Sequence, residues 1–187
     1  MKIVGGKHRG RPLKALPGRA TRPTSDRVRE AVFNILEHGI EGLALDGATV
    51  IDVFSGTGAL GLEALSRGAA RATFIDTNPE ALNIVRKNAG SLGEGRNITA
   101  LKLDAARLAP PPRAARAPCP LVFLDPPYDS ELTNPALLSL SGKGWLAAGA
   151  VCVVEVASNE PFESPAKFSV LDERVYGAAR VVFLKLN

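Results

Sequence analysis

Ala48-Thr49-Val50-Ile51-Asp52-Val53-Phe54-Ser55-Gly56-Thr57-Gly58-Ala59-Leu60-Gly61 is the stretch whose reading decides the fold. Its first half is rich in β-branched and bulky apolar residues, the pattern of a strand buried on both faces. It runs directly into glycines spaced G-x-G-x-x-G, and Ala59 to Arg67 then reads as a helix ending at Gly68. Glycines at these places permit a tight turn and let a ligand lie against the backbone at the helix N-terminus. The same glycines also suit a strand-to-helix turn that holds nothing.

Working outward, an acidic residue follows at a telling distance. Asp76 lies twenty positions after Gly56 and ends a strand, Ala72-Thr73-Phe74-Ile75. In nucleoside-binding α/β folds an acid at this place accepts hydrogen bonds from ribose hydroxyls. Asn78-Pro79 opens a helix as N-cap and first position, with Ala81, Leu82, Ile84, Val85 and Ala89 on its apolar side. Asn97 to Leu103 is a further strand, ending at Asp104. That carboxylate either meets the edge of an adenine ring or caps the next helical turn. Residues 105–120 are rich in Ala, Pro and Arg, and Pro110 to Pro112 exclude a regular helix there, leaving a short helix and an irregular connection.

Leu121-Val122-Phe123-Leu124 is another buried strand, and it stops at Asp125 because Pro126 and Pro127 cannot donate to a sheet ladder. In open α/β sheets ligands bind just beyond the carboxyl ends of the strands. Asp125 and Tyr128 stand there on a stiff turn. A hydrogen-bond acceptor beside a flat ring suits a planar ligand carrying an amino group, such as a nucleobase; the alternative is a turn with an incidental Asp and Tyr. Leu132 to Leu140 reads as a helix, Trp145 and Leu146 as residues packing on the sheet, and Ala150 to Val156 as an apolar strand with Glu155 near its end. Phe168 to Tyr176 and Arg180 to Leu186, joined through Gly177, read as an antiparallel hairpin closing the sheet.

With 187 residues, 45% of them hydrophobic, the chain can build one sizeable core but not a second full domain. It has no uninterrupted apolar run of about 18 residues, so no transmembrane helix is expected, and Met1 to Gly6 lack the apolar centre of a signal peptide. Cys119 and Cys152 sit in apolar stretches, which points to reduced, buried thiols and a cytosolic (cytoplasmic) setting. The two cysteines with His8 and His38 have no ligand spacing, so no metal site is expected.

The net charge of +4 is unevenly placed. Residues 1–30 carry nine Lys/Arg against Asp26 and Glu30, whereas the rest carries fourteen Lys/Arg against seventeen Asp/Glu. A basic arm on a mildly acidic body suggests a polyanionic partner, most simply a nucleic acid; a solvated tail with no partner is the alternative. Lys2 to Gly6 and His8 to Lys14 read as a β-hairpin. A helix follows over 24–38, capped by Thr24 or Ser25, with Val28, Ala31, Val32, Ile35 and Leu36 as its apolar face. Arg27 and Arg29 fall largely off that stripe, which leaves Arg22, Arg27 and Arg29 near the ligand side. The expected division is a basic arm, 1–23, and a body, 24–187.

Val50-Ile51-Asp52-Val53-Phe54-Ser55-Gly56-Thr57-Gly58 resembles the cofactor motif of class I S-adenosylmethionine-dependent methyltransferases. Asp125-Pro126-Pro127-Tyr128 resembles the (Asn/Asp)-Pro-Pro-(Tyr/Phe) motif of enzymes that methylate exocyclic amino groups of bases. Ile3-Val4-Gly5-Gly6 with Arg9-Gly10-Arg11, then Arg22 to Asn34, and Phe54 to Gly68, are similar to the RsmD family, bacterial methyltransferases of guanine N2 in 16S ribosomal RNA. The resemblance implies an α/β fold: a Rossmann-like, mostly parallel sheet with an antiparallel C-terminal hairpin, flanked by helices, plus the basic N-terminal hairpin and helix. It implies that Asp52, Phe54, Gly56 and Gly58 form the floor under the methionine part of S-adenosyl-L-methionine, that Asp76 holds the ribose, and that Asp104 lies by the adenine. Tyr128 would stack on the extruded guanine, while Asp125 and the Pro126 carbonyl accept hydrogen bonds from its amino group. Lys7, Arg9 and Arg11, with Arg22 and Arg27, would hold phosphates of ribosomal RNA in the small subunit or an assembly intermediate, without a metal or a membrane. Three other readings stay open on the residues alone. One is an NAD-dependent oxidoreductase, since the glycines with Asp76 fit that fingerprint too. Another is an adenine-N6 methyltransferase of DNA or RNA. The third is a non-catalytic RNA-binding module.

Overall fold

The computed structural model describes residues 1–16, 26–128 and 130–187. Seven strands form one sheet: β1 (Thr49–Val53), β2 (Arg71–Asp76), β3 (Ile98–Lys102), β4 (Cys119–Leu124), β5 (Leu146–Ala157), β6 (Phe168–Tyr176) and β7 (Ala179–Leu186). Their order is β3-β2-β1-β4-β5-β7-β6. The pairs from β3 through β5 are parallel, and β7 lies antiparallel between β5 and β6. This is the Rossmann-like methyltransferase sheet, with the C-terminal hairpin where it is expected.

Four helices cover the sheet among the described residues: α1 (Asp26–His38), α2 (Ala59–Ser66), α3 (Pro79–Leu92) and α4 (Thr133–Gly142). Strand residues alternate between two cores. Val50, Phe74, Leu121, Phe123, Val153 and Phe183 pack with α1, α2 and α3. Ile51, Val53, Ile75, Val122, Leu124 and Val154 pack with α4 and with the segment around Ala105 and Ala115. Burial on both faces explains why β1 and β4 read as continuous apolar runs. Phe33 of α1 meets Phe123 of β4 with ring centroids 5.5 Å apart. Trp145 is fully buried, and its ring N–H donates to the Ala109 carbonyl at 2.9 Å. In 105–120 the chain makes two short 3-10 turns, Ala105–Arg107 and Arg113–Ala115.

The expected N-terminal hairpin forms, but it is short. One antiparallel bridge, Lys2 to Pro12, is flanked by bonds from Ile3 N–H to the Arg11 carbonyl at 2.9 Å, Gly10 N–H to the Ile3 carbonyl at 2.8 Å and Leu13 N–H to the Met1 carbonyl at 3.2 Å, around a 3-10 turn at Gly6–His8. Beyond Ile3, α2 takes the backbone groups a longer ladder needs. The Glu63 carboxylate accepts from Val4 N–H at 2.8 Å and Gly5 N–H at 2.7 Å. Ser66 Oγ donates to the Gly5 carbonyl at 2.6 Å and accepts from His8 N–H at 2.9 Å. Approach is so close that a Cβ on Gly6, whose φ is +69°, would collide with the Ser66 carbonyl. Ile3 and Leu13 belong to the core beneath α1 and α2.

Arg29 also departs from expectation, being wholly buried rather than off the apolar stripe. Its guanidinium sits 2.8 Å from Asp26 and 3.5 Å from the equally buried Glu63, and it donates to the Lys2 carbonyl. A guanidinium reads as solvent-facing by type, but a buried carboxylate from another helix reverses that. Thr24 and Ser25, the expected caps of α1, and Arg22 lie outside the described residues.

Candidate active site

The two deciding motifs end side by side. β1 and β4 pair in register from Val50 with Leu121 to Val53 with Leu124, and Asp125 N–H then donates to the Val53 carbonyl at 3.4 Å. To one side the chain continues to β2 and β3, to the other to β5, so the β1–β4 crevice is the point where strand order reverses. Ligands of open α/β sheets bind at such a crevice. The same register logic lines up the other expected residues. Val53 pairs with Ile75, which brings Asp76 beside the turn, and Asp76 pairs with Lys102, two residues before Asp104.

Phe54 leaves β1 with φ +58°, a left-handed conformation that is rare for a bulky side chain and is a mark of functional strain. The turn behind it is braced by carboxylates. Asp76 accepts from Gly56 N–H at 2.9 Å and from Asn78 N–H at 2.8 Å. Asp52, only 2% exposed, accepts from Gly61 N–H at 2.9 Å. Gly61 has to be glycine, because a Cβ there would come within 2.5 Å of the Phe74 ring. Burial pushes Asp52 upward, the Gly61 N–H opposes this and the negative Asp76 adds to it, giving a pKa of about 8. The buried acid under the glycine turn is thus predominantly protonated at neutral pH. Asp104 is exposed and caps the 105–107 turn, accepting from Ala106 N–H at 3.0 Å. A carboxylate has about four acceptor positions, so capping and ligand contact are compatible at Asp76 and Asp104.

At the end of β4, Asp125 and Tyr128 are half-buried, Pro126 is buried and Pro127 exposed. The Tyr128 hydroxyl donates to Glu155 Oε1 at 2.9 Å. Glu155 is 8% exposed near the carboxyl end of β5, one residue beyond Val154, the partner of Leu124.

The arginines and lysines expected to meet RNA divide into two groups. Arg9 and Arg27 line one cleft with Lys2, alongside Asp26 and Glu30. Lys7 and Arg11 turn onto the end of α3 instead: Lys7 Nζ lies 2.8 Å from Glu94, and the Arg11 guanidinium donates to the Ser91 carbonyl at 2.6 Å. Burial would raise Glu94, but hydrogen bonds from Lys7, Asn97 and His8, with the Lys7 charge, hold it down at about 2. Asn88 of α3 links this arm to the glycine turn. Its amide exchanges hydrogen bonds with Lys14 N–H (2.8 Å) and carbonyl (3.1 Å) and donates to the Thr57 carbonyl at 3.0 Å.

Glu63, Asn88 and the bond from Tyr128 to Glu155 escape a reading by sequence. Each left one trace, a polar residue among apolar neighbours, in Glu63 and Glu155 along the chain and in Asn88 on a helix face: Glu63 among Leu62, Ala64 and Leu65, Asn88 on the face of Val85 and Ala89, Glu155 between Val154 and Val156.

Comparison with known proteins agrees with this geometry. A family model described as conserved hypothetical protein 95 matches residues 1–185. Ribosomal RNA small subunit methyltransferase D of Escherichia coli (strain K12) is 36% identical over 182 residues, covering 95% of this chain and 85% of that protein. Its namesake in Haemophilus influenzae is 34% identical over 182 residues, covering 95% and 89%. Among solved structures, yhhF from Escherichia coli superposes with a TM-score of 0.82 at 33% identity, covering 100% of this chain and 98% of that one. With the family model matched over residues 1–185 and these relatives aligned over 95% of its length, the chain belongs to the conserved hypothetical protein 95 family, which is the RsmD family.

Proposed function

We propose that the protein transfers a methyl group from S-adenosyl-L-methionine to the exocyclic N2 of a guanine in small-subunit ribosomal RNA. The observation that carries this is the abutment of the Phe54–Gly58 turn and the Asp125–Tyr128 turn across the β1–β4 crevice. One turn offers a glycine backbone over a buried acid, and the other offers acceptors beside a ring. The names of the relatives aligned over 95% of the chain support the RNA and the subunit.

The residues present fit that cofactor. The strained Phe54 and the glycine turn, which the buried Asp52 braces from beneath through the Gly61 N–H, make a cradle for the methionine part of the cofactor. Asp76 and Asp104 stand at the next two strand ends to receive ribose and adenine. When bound, S-adenosylmethionine supplies an electrophilic methyl group. The base has to leave its stack, as for other enzymes acting on bases. Tyr128 stacks on it, and Asp125 and the Pro126 carbonyl accept its two amino hydrogens. That arrangement aims the nitrogen lone pair into the crevice, and near-attack positioning of this kind accounts for a large share of rate enhancements. The nitrogen would gain the methyl group as the carbon–sulfur bond of the cofactor's sulfonium gave way to a neutral thioether, and it would then lose one amino proton to water; the Asp125 carboxylate stabilises the positive charge that develops on the nitrogen meanwhile.

The test is methylation of small-subunit RNA from cells lacking the methyl group, followed by nucleoside mass spectrometry. N2-methylguanosine appearing with wild-type protein is the expected result, and methyl on another base or on none overturns the reading. Asp125→Ala should lower turnover by about a hundredfold or more while binding S-adenosylmethionine as the wild type does. Wild-type turnover in that variant removes Asp125 from the chemistry.

A further inference from the structure

We infer that Glu155 is a positioning residue, which holds the Tyr128 ring through the tyrosine hydroxyl in the orientation where a base stacks. The inference rests on the proposed function and extends it to a residue outside both motifs.

Glu155 sits where a carboxylate is costly. Val151, Cys152, Val153, Val154, Val156 and Ala157 of the same strand are all buried and apolar. A charged group in such a place needs a strong partner. The Tyr128 hydroxyl at 2.9 Å is a charge-assisted one. The partnership follows from topology, since β4 and β5 are parallel and in register to Leu124 with Val154. Glu155 is therefore carried along the same sheet edge as Asp125, and the Asp-Pro-Pro turn folds Tyr128 back over it.

The consequence is a ring fixed at both ends. Pro126 and Pro127 lock two φ angles immediately before it. Glu155 anchors its far end, and the ring keeps partial exposure, as a stacking surface requires. A ring held in place sets the stacked base in line with the methyl donor, an effect on the rate of transfer rather than on the grip of the RNA. A bond that merely closed the loop onto β5 would lend stability and nothing else, and the two roles separate by experiment.

The experiment is a double-mutant cycle with single-turnover methyl transfer at saturating cofactor, alongside RNA affinity and melting temperature. Tyr128→Phe and Glu155→Ala should each slow transfer by about tenfold, the loss of one positioning hydrogen bond. RNA affinity should change little. The double variant should be no slower than the slower single, because both remove the same bond. Glu155→Gln keeps an acceptor for the hydroxyl and should retain most of the rate. If Glu155→Ala does not fold, Tyr128→Phe and Glu155→Gln still test the proposal. Folded Tyr128→Phe or Glu155→Ala that transfers methyl at the wild-type rate, Glu155→Gln as slow as Tyr128→Phe, or single effects that multiply in the double variant overturn the role of Glu155 alone. A wild type that leaves guanine N2 unmethylated overturns the function and this inference with it.

Discussion

Asp52 is the residue whose chemistry differs most from its type. A carboxyl with a pKa of about 8 holds a proton through the neutral range, whereas the unfolded chain loses it near the ordinary value of 3.8. Between those limits the folded state binds one more proton than the unfolded state, so its stabilising contribution is complete below about 3.8 and is lost as pH rises through 8. Asn mimics the neutral acid and still offers an oxygen to Gly61 N–H. The stability of Asp52→Asn relative to wild type should therefore climb by about 1.4 kcal/mol per pH unit across pH 5 to 7. Urea denaturation at several pH values measures it, and parallel curves would show an ordinary Asp52. The sequence places Asp52 at the end of an apolar strand but cannot say what faces it. Its state is set first by burial and then by Asp76 from the neighbouring strand, with the Gly61 N–H, nine residues on, acting against them.

At the scale of elements, the N-terminal arm and α2 are built as one unit. Glu63 gathers Val4 N–H, Gly5 N–H, Arg67 at 2.8 Å and Arg29 at 3.5 Å around a fully buried carboxylate. Removing one partner of a buried ionic cluster leaves the others poorly compensated, so Glu63→Ala should cost about 3–5 kcal/mol in chemical denaturation. A loss under 1 kcal/mol would mean that water or Asp26 replaces it. This cluster marks the limit of what was legible. Strands β1, β2 and β4, the glycine turn and α3 with its Asn78 cap announce themselves through local signals, an apolar run meeting Gly, Pro or Asn. The apolar stripe of α1 is equally plain, yet it gives no sign that Arg29 beside it is buried. Its burial depends on Glu63, thirty-four residues away and on another helix, and pattern reading has no means of joining them. The hairpin stops short at Ile3 for the same reason: Gly5 and Gly6 suit a tight turn in isolation, and only the approach of Ser66 makes them a docking surface. Tyr128 and Glu155 meet through strand register, a third long-range relation that spacing along the chain does not encode.

For the whole molecule, the question is what the uneven charge does once the fold has used part of it. Nine Lys/Arg in residues 1–30 suggested one continuous basic arm. Folding divides those among the described residues. Arg29 is buried with Glu63, Lys7 serves Glu94 and Arg11 serves the end of α3. Arg9 and Arg27 remain exposed along one cleft. If that cleft holds an RNA backbone, each of the two arginines releases counterions on binding, and each neutralisation should lower the slope of log affinity against log salt by about 1. Arg9→Gln and Arg27→Gln should thus weaken binding of small-subunit RNA and flatten its salt dependence, by about 2 in slope when combined. Lys7→Gln should act differently. It removes a cation that holds Glu94 near 2, so it should loosen the arm, seen as faster amide exchange around Ile3 to Leu13, and leave the salt slope nearly unchanged. Filter binding at several salt concentrations separates the two classes. Equal slopes for Arg9→Gln, Arg27→Gln and wild type would place the RNA on another face, whereas a slope that falls with Lys7→Gln as much as with Arg9→Gln would restore the continuous arm.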